Sequence, residues 1–457
     1  MIFKNLLKSF KKKSSRSQNF LLNTSYNIFF VGSKLGLSLL LIPLVLDTIG
    51  QERFGVWQTT LSLIAFLGVL KFGYPNSLRN LITKLLANSS ENEVYKVIGA
   101  TYSKLIKISA LIFIILIPLI YFFFNPQILF LESTISSHEI VYSILIFVSF
   151  GLLNNILSLT DSIAYGYQKS SLTNFFQLIY FLFSYLSILF IRRQYSLNLI
   201  DISIIFGVIQ SATYILFILY QRIKFNLRIK FNSNYSLRDT QKISFSFFIA
   251  HLLSLTFLSI DNFIISFMIG AEETASYSIV NKLFFALITL FSILLIHFWN
   301  SVSDAFERKE FKWISKMLKV LYLMAFLVFL GGLILSFFQE EIINLWLGDE
   351  KITFDSITFY LFSVYTFFHC LNAVFVYLQN GLGALKIQIY TSTFIIIFYI
   401  SACFIIDINK YGYNSIIIVK IVAMGLSMIL NSFILRKIQA RSSLTLLFNR
   451  LKIKKEK

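Results

Sequence analysis

Apolar runs of about 18 to 25 residues recur twelve times along this chain, each long enough to cross the roughly 30 Å hydrocarbon core of a bilayer as a helix. They fall at 21–46, 54–78, 105–124, 140–164, 172–191, 200–221, 244–268, 275–300, 318–338, 356–379, 387–406 and 414–435. Of the 457 residues, 56% are hydrophobic and only 14% charged. No polar stretch is long enough to build a separate soluble domain, so the whole chain reads as the membrane domain.

The distribution of basic residues predicts an orientation, because lysine and arginine stay on the cytoplasmic side. With both termini cytoplasmic, the tails, loops and span ends on that side hold 32 lysines and arginines, against 5 on the other: Arg53, Arg192, Arg193, Lys351 and Lys410. The same asymmetry accounts for the net charge of +19 without nucleic acid, since basic loops such as 221–242 face anionic membrane lipids. Trp57, Trp299, Trp313 and Trp346 fall near span ends, as an aromatic belt requires.

Residues 1–19 place Ile2, Phe3, Leu6, Leu7 and Phe10 on one helical face among lysines, the pattern of a basic interfacial helix. The apolar run that follows is too long for a secretory h-region, so it is expected to stay as the first span. Cys370 and Cys403 lie in apolar segments, and the four histidines lack ligand spacing, which excludes a disulfide framework and gives no metal site. Nucleophile elbows, Walker loops and dinucleotide fingerprints are absent from the sequence, so an enzyme is not expected.

Residues 222–242 divide the spans six and six. The segments IGQERFGVW (49–57) and IGAEETASY (269–277) lie at equivalent points of the two halves, matching Gly50 with Gly270, Glu52 with Glu272, and Trp57 with Tyr277. Duplicated halves of six spans share one orientation and imply alternating access to a cavity between them. The expected fold is therefore an all-α polytopic membrane protein, with about 12 transmembrane helices in two six-helix lobes around a central cavity. Its parts are a basic interfacial segment (1–19), an N-lobe (20–221), a cytoplasmic linker (222–243), a C-lobe (244–437) and a basic cytoplasmic tail (438–457).

Segments 43–84, 259–287 and 379–390 resemble the polysaccharide-exporter branch of the multidrug/oligosaccharidyl-lipid/polysaccharide superfamily, and within it the O-antigen and capsule repeat-unit flippases. The first carries the family's span, glycine, aromatic-glycine and Phe-Gly pattern. The second has Asp261, Gly270, Tyr277 and Lys282 at comparable positions, and the third resembles the family's Gly–Lys–Gln turn. One departure is Lys71, which stands where the family often has an acidic residue before Phe72-Gly73. The resemblance implies movement of undecaprenyl-diphosphate-linked oligosaccharide from the cytoplasmic to the periplasmic leaflet of a bacterial inner membrane. Two alternatives on the same architecture are a cation-coupled multidrug antiporter and a cell-wall lipid precursor flippase. Other polysaccharide-assembly proteins are candidate partners; no cofactor is expected beyond a coupled H⁺ or Na⁺.

A charge inside the bilayer costs several kcal/mol unless it has a partner or a wet cavity, so the intramembrane charges are the candidate site. Four are basic: Lys34, Lys71, Lys282 and Lys420. Lys34 lies roughly 18 Å from the outer end of its span, too deep to snorkel, and is read as a substrate contact or, alternatively, as a salt bridge to Asp261. Lys71 and Lys282 are further candidate substrate contacts, while Arg79 and Asn76 sit where an incoming diphosphate is first met. Lys71 is also shallow enough to snorkel, and Pro75 beside it is expected to kink the span. Lys420 is expected to be an interfacial anchor, Asp161 an inner-mouth residue, and Asp261 an ion-coupling group or charge partner. His251 and His297 are expected to be packing partners. More lysines than acids suit a diphosphate and suit a cationic drug poorly.

Overall fold

Inside a bilayer every backbone amide and carbonyl must be satisfied within the protein, and a long apolar run achieves this only as a helix. The computed structural model describes residues 15–87, 91–130, 133–227, 238–307, 310–348, 354–382, 385–406 and 411–432, and its regular structure there is helical throughout. The side chains of the basic 1–19 segment, the middle of the linker and the 438–457 tail lie outside the described residues. Among the described residues eleven helices are long and apolar enough to cross a membrane, or twelve when one bent pair is taken as a single span. Each expected span finds its helix, although several helices run on beyond the apolar stretch, most of all Glu91–Phe123, which begins fourteen residues before the expected 105.

Contacts divide the chain into two units, Met1–Phe248 with Gly270–Ala275, and Ile249–Ile269 with Ser276–Lys457. The first contains α1 (Ser15–Ile49), α2 (Gln51–Val69), α3 (Tyr74–Ala87), α4 (Glu91–Phe123), α5 (Pro126–Leu129), α6 (Ser137–Leu157), α7 (Leu159–Gly166), α8 (Ser170–Ile191) and α9 (Leu199–Lys224). Helix α1 packs along α8, while α6 packs against α9, α4 and α2, and α3 against α7 and α4. Gly207 lets α9 approach α6 so closely that a Cβ there lies 2.3 Å from the ring of Phe150.

The expected kink near Pro75 takes the form of a complete break. Helices α2 and α3 are bent by 48° about residues 70–73, where Phe72 and Gly73 take φ of 47° and 72°. Pro75 lies in the first turn of α3, where its missing amide costs no hydrogen bond. Trp57 corrects the belt expectation. It is 5% exposed, packed between Phe54 and Phe206, because the start of α2 faces the interior of its unit.

The repeated glycines have a backbone reason. Gly50 (φ 82°) and Gly270 (φ 139°) each turn the chain between consecutive helices in a region that disfavours side chains. The charged residues after Gly50 then tie the connections together. Glu52 accepts hydrogen bonds from Ser133 Oγ at 2.6 Å and the Thr134 amide at 2.7 Å. Arg53 donates to both oxygens of Glu139 at 2.7 and 3.0 Å, and Glu139 also accepts from the Leu199 amide at the start of α9.

The second unit contains α10 (Arg238–Met268), α11 (Ala271–Glu307), α12 (Phe311–Phe337), α13 (Gln339–Leu347), α14 (Ser356–Gly381), α15 (Leu385–Ile405) and α16 (Asn414–Ser432), with the first turns of α10 and α11 lying in the first unit. Its core is continuous and aromatic, with Phe284 stacked on Phe362 at 5.6 Å. Asn414 ties the starts of α14 and α16 by donating to Asp355 and accepting from Thr358.

The Glu139 junction gives a graded expectation for thermal unfolding in detergent. Arg53→Ala removes a half-exposed ion pair and lowers stability by less than about 1 kcal/mol. Glu139→Ala also strands the Leu199 amide and costs more, about 1–3 kcal/mol, so its melting temperature falls further.

Candidate functional site

Polar side chains on otherwise apolar helices must find one another, and in the first unit they gather around Asp161. A cleft between α7, α8 and α9 is lined by Asp161, Thr173, Gln177, Tyr180, Gln210 and Tyr214. Tyr214 OH donates to Asp161 Oδ2 at 3.4 Å, while Oδ1 is buried with no hydrogen-bond partner among the described residues. Lys34 on α1 donates to Gln177 Oε1 at 2.8 Å. Lys71, in the break between α2 and α3, donates to Ser158 Oγ at 2.7 Å. Both ammonium groups lie within electrostatic range of Asp161.

Two of the four sequence-predicted lysines are thus brought to one carboxylate, and that carboxylate is Asp161 rather than Asp261. Each lysine keeps a neutral hydrogen-bond partner, so neither is consumed by a tight ion pair. Behind the cleft, Asn154 donates to Gln210 at 3.1 Å and accepts from Ser211 at 3.0 Å. The sequence signal for this network was available: Asn154, Gln177 and Gln210 each interrupt an apolar span, and amides are costly there unless paired.

Arg79 and Asn76 are exposed on α3, with the Arg79 guanidinium 5.3 Å from the centroid of the Tyr165 ring. Lys282 is partly buried on α11, without a hydrogen bond or ion pair to the described residues of its unit. His251 is exposed, and the His297 side chain lies outside the described residues.

Asp261 and Lys420 overturn two expectations together. Lys420 is 1% exposed, not an interfacial anchor, and its ammonium donates to Asp261 Oδ2. The alternative salt bridge from Lys34 to Asp261 is therefore replaced by one from Lys420. Tyr277 OH donates to the same Asp261 oxygen, and Tyr399 OH to Oδ1 at 2.6 Å. The ammonium also lies 5.3 Å from the Phe257 ring centroid and 5.0 Å from that of Tyr365. Asp261 is itself 1% exposed, so this is a closed charge pair that links α10, α11, α15 and α16. Tyr277, the repeat partner of Trp57, has become one of its donors.

Among the described residues, eleven to twelve helices are long and apolar enough to cross a membrane, and charged side chains lie inside both units. Solved structures agree on the fold. An inward-facing multidrug resistance MATE family transporter of the MOP superfamily superposes with TM-score 0.75 at 10% identity, over 89% of this chain and 96% of that one. The lipid II flippase MurJ, in an inward closed conformation, gives TM-score 0.69 at 16% identity over 91% and 87%. The chain belongs to the polysaccharide biosynthesis protein family, whose family model matches residues 20–297. A Salmonella typhi relative named "Putative O-antigen transporter" is 21% identical over 367 residues, 77% of this chain and 81% of that protein. The protein is accordingly a multi-pass membrane protein of that family.

The buried pair predicts strong non-additivity. Lys420→Met or Asp261→Asn alone leaves half of an enclosed charge pair and costs on the order of 3–5 kcal/mol. The double variant Asp261→Asn/Lys420→Met recovers most of that loss, measured as thermal unfolding in detergent.

Proposed function

We infer that this protein is a flippase for undecaprenyl-diphosphate-linked oligosaccharide, an O-antigen or capsule repeat unit. It carries the headgroup from the cytoplasmic to the periplasmic leaflet of a bacterial inner membrane by alternating access, with both termini cytoplasmic. The observation that carries this reading is the charge balance of the first-unit site, two lysines to one aspartate, with each lysine held only by a neutral side chain. A diphosphate oxygen is a stronger partner for an ammonium than an amide or a hydroxyl oxygen.

In this reading Arg79 and Asn76 meet the incoming headgroup, and Lys71 and Lys34 receive its phosphates. Lys282 is the second unit's candidate phosphate contact. Gln177, Gln210, Tyr180 and Tyr214 supply the neutral hydrogen bonds that sugars require. The name of the Salmonella relative supports an O-antigen cargo. Outward movement of the anionic headgroup is favoured by an inside-negative potential, by about 2.3 kcal/mol per charge per 100 mV. A cationic drug is disfavoured by the same lysines, which ranks the multidrug antiporter below the flippase.

Deletion of the gene is expected to remove surface polysaccharide and to accumulate lipid-linked repeat units on the inner leaflet. Normal polysaccharide together with drug sensitivity overturns the reading in favour of the antiporter, and loss of viability through arrested cell-wall synthesis favours the precursor flippase. At matched expression, Lys34→Ala is expected to restore less than about a tenth of the polysaccharide, the scale of one lost charge-assisted contact, and Lys34→Arg most of it. Full restoration by Lys34→Ala removes that residue from the site.

A further inference from the structure

In the first unit the broken span α2–α3 lies beside a one-residue irregularity at Ser158 in a second span, which keeps right-handed dihedrals there and runs on from α6 into α7. Helix α2 stops at Val69 and α3 resumes at Tyr74; helix α6 stops at Leu157 and α7 follows after Ser158. Two side chains cross between the two spans. Lys71 Nζ donates to Ser158 Oγ at 2.7 Å, and Asn155 Nδ2 donates to the Leu67 carbonyl in the last turn of α2 at 2.6 Å.

On the far side of the break and the irregular turn, α3 and α7 form one body. Leu78 and Ile82 share a buried core with Leu159 and Ile163. Gly166 meets Ile82 so closely that a Cβ there lies 2.7 Å from it, and Thr83 Oγ1 donates to the Gly166 carbonyl at 3.2 Å. The two helices can therefore change direction only together. The turn that joins α2 to α3 also holds Phe72 at φ 47°, a left-handed conformation that is costly for an aromatic residue. Any rearrangement that returns Phe72 to the right-handed region releases this strain, while the Lys71–Ser158 bond holds the bent form.

We propose that Lys71 is a positioning residue that latches the α2–α3 hinge to the irregular turn at Ser158, and that a phosphate or diphosphate group releases the latch by drawing the ammonium away from Ser158. A hydroxyl is a neutral acceptor, whereas a phosphate oxygen forms a charge-assisted bond of roughly twice the strength. The α3–α7 body is then free to turn relative to α2 and α6. This rests on the reading of the first-unit lysines as phosphate contacts, and it adds a motion that the anion triggers.

The test uses full-length protein in phosphatidylcholine nanodiscs, with Cys370 and Cys403 replaced by alanine. Spin labels are placed at Lys84→Cys on α3 and at Tyr195→Cys on the connection between α8 and α9, both exposed. A turn of about ten degrees at the break moves Lys84, ~15 Å along α3 at 1.5 Å per residue, by about 3 Å. Wild type is expected to give a narrow distance distribution. Lys71→Met is expected to shift its mean by roughly that amount, Ser158→Ala to shift it less in the same direction, and Lys71→Arg to keep it narrow.

Undecaprenyl diphosphate in the nanodisc is expected to move wild type toward the Lys71→Met distribution and to leave Lys71→Met unchanged. An equal response to sodium pyrophosphate assigns the trigger to the diphosphate itself; a response to the lipid alone assigns it to the membrane-anchored group. Both support the latch. Distributions of Lys71→Met and Ser158→Ala that superimpose on wild type overturn the latch, whatever the polysaccharide phenotype. A wild type that responds to neither anion overturns the release step. If instead the deletion strain keeps its surface polysaccharide, the flippase reading fails while the distance shift of Lys71→Met stands by itself.

Discussion

A charge enclosed among membrane-spanning helices must be answered locally, because neither lipid nor packed side chains can solvate it. That constraint organises both units, and they meet it in opposite ways. The second unit answers Asp261 completely, with one ammonium and two tyrosine hydroxyls, and two aromatic faces in turn flank the ammonium. The first answers its lysines only with neutral oxygens and leaves one oxygen of Asp161 without a described partner. A closed pair fixes a core, whereas an open set of charges remains available to something that comes and goes.

The spans were legible in the sequence because length and apolarity leave a bilayer-crossing segment no alternative to a helix. All twelve runs fall on helices, although polar extensions such as 91–104 and every contact between helices remained hidden. The kink near Pro75 was legible from proline chemistry. The irregular turn beside it at Ser158 was not, since serine within an apolar run does not by itself dictate one. Which lysine answers which carboxylate was equally hidden, because Lys34, Lys71 and Lys420 look alike when only their depth along a helix is known.

Lys420 illustrates how depth misleads. Six residues from the start of α16, it is close enough to an end for its stem to reach water in an isolated helix. Its neighbours Ile417, Ile418, Val419, Ile421 and Val422 offer no polar escape, and Asp261 draws it inward instead. The paired motifs at 49–57 and 269–277 were informative in another way. Their glycines mark the same backbone requirement in both halves, but Trp57 became a packing residue and Tyr277 a hydrogen-bond donor to a carboxylate. The two turns share a backbone conformation that favours glycine, while the chemistry beside them differs.

The bond between Lys34 and Gln177 has a consequence for the range of cargo. An ammonium held by a single amide can be surrendered for the loss of one modest interaction, and any anion of suitable reach can claim it. Such a site discriminates by charge before shape. In the proposed flippase, a grip on the phosphate handle lets the carrier accept a new glycan without first being rebuilt around it.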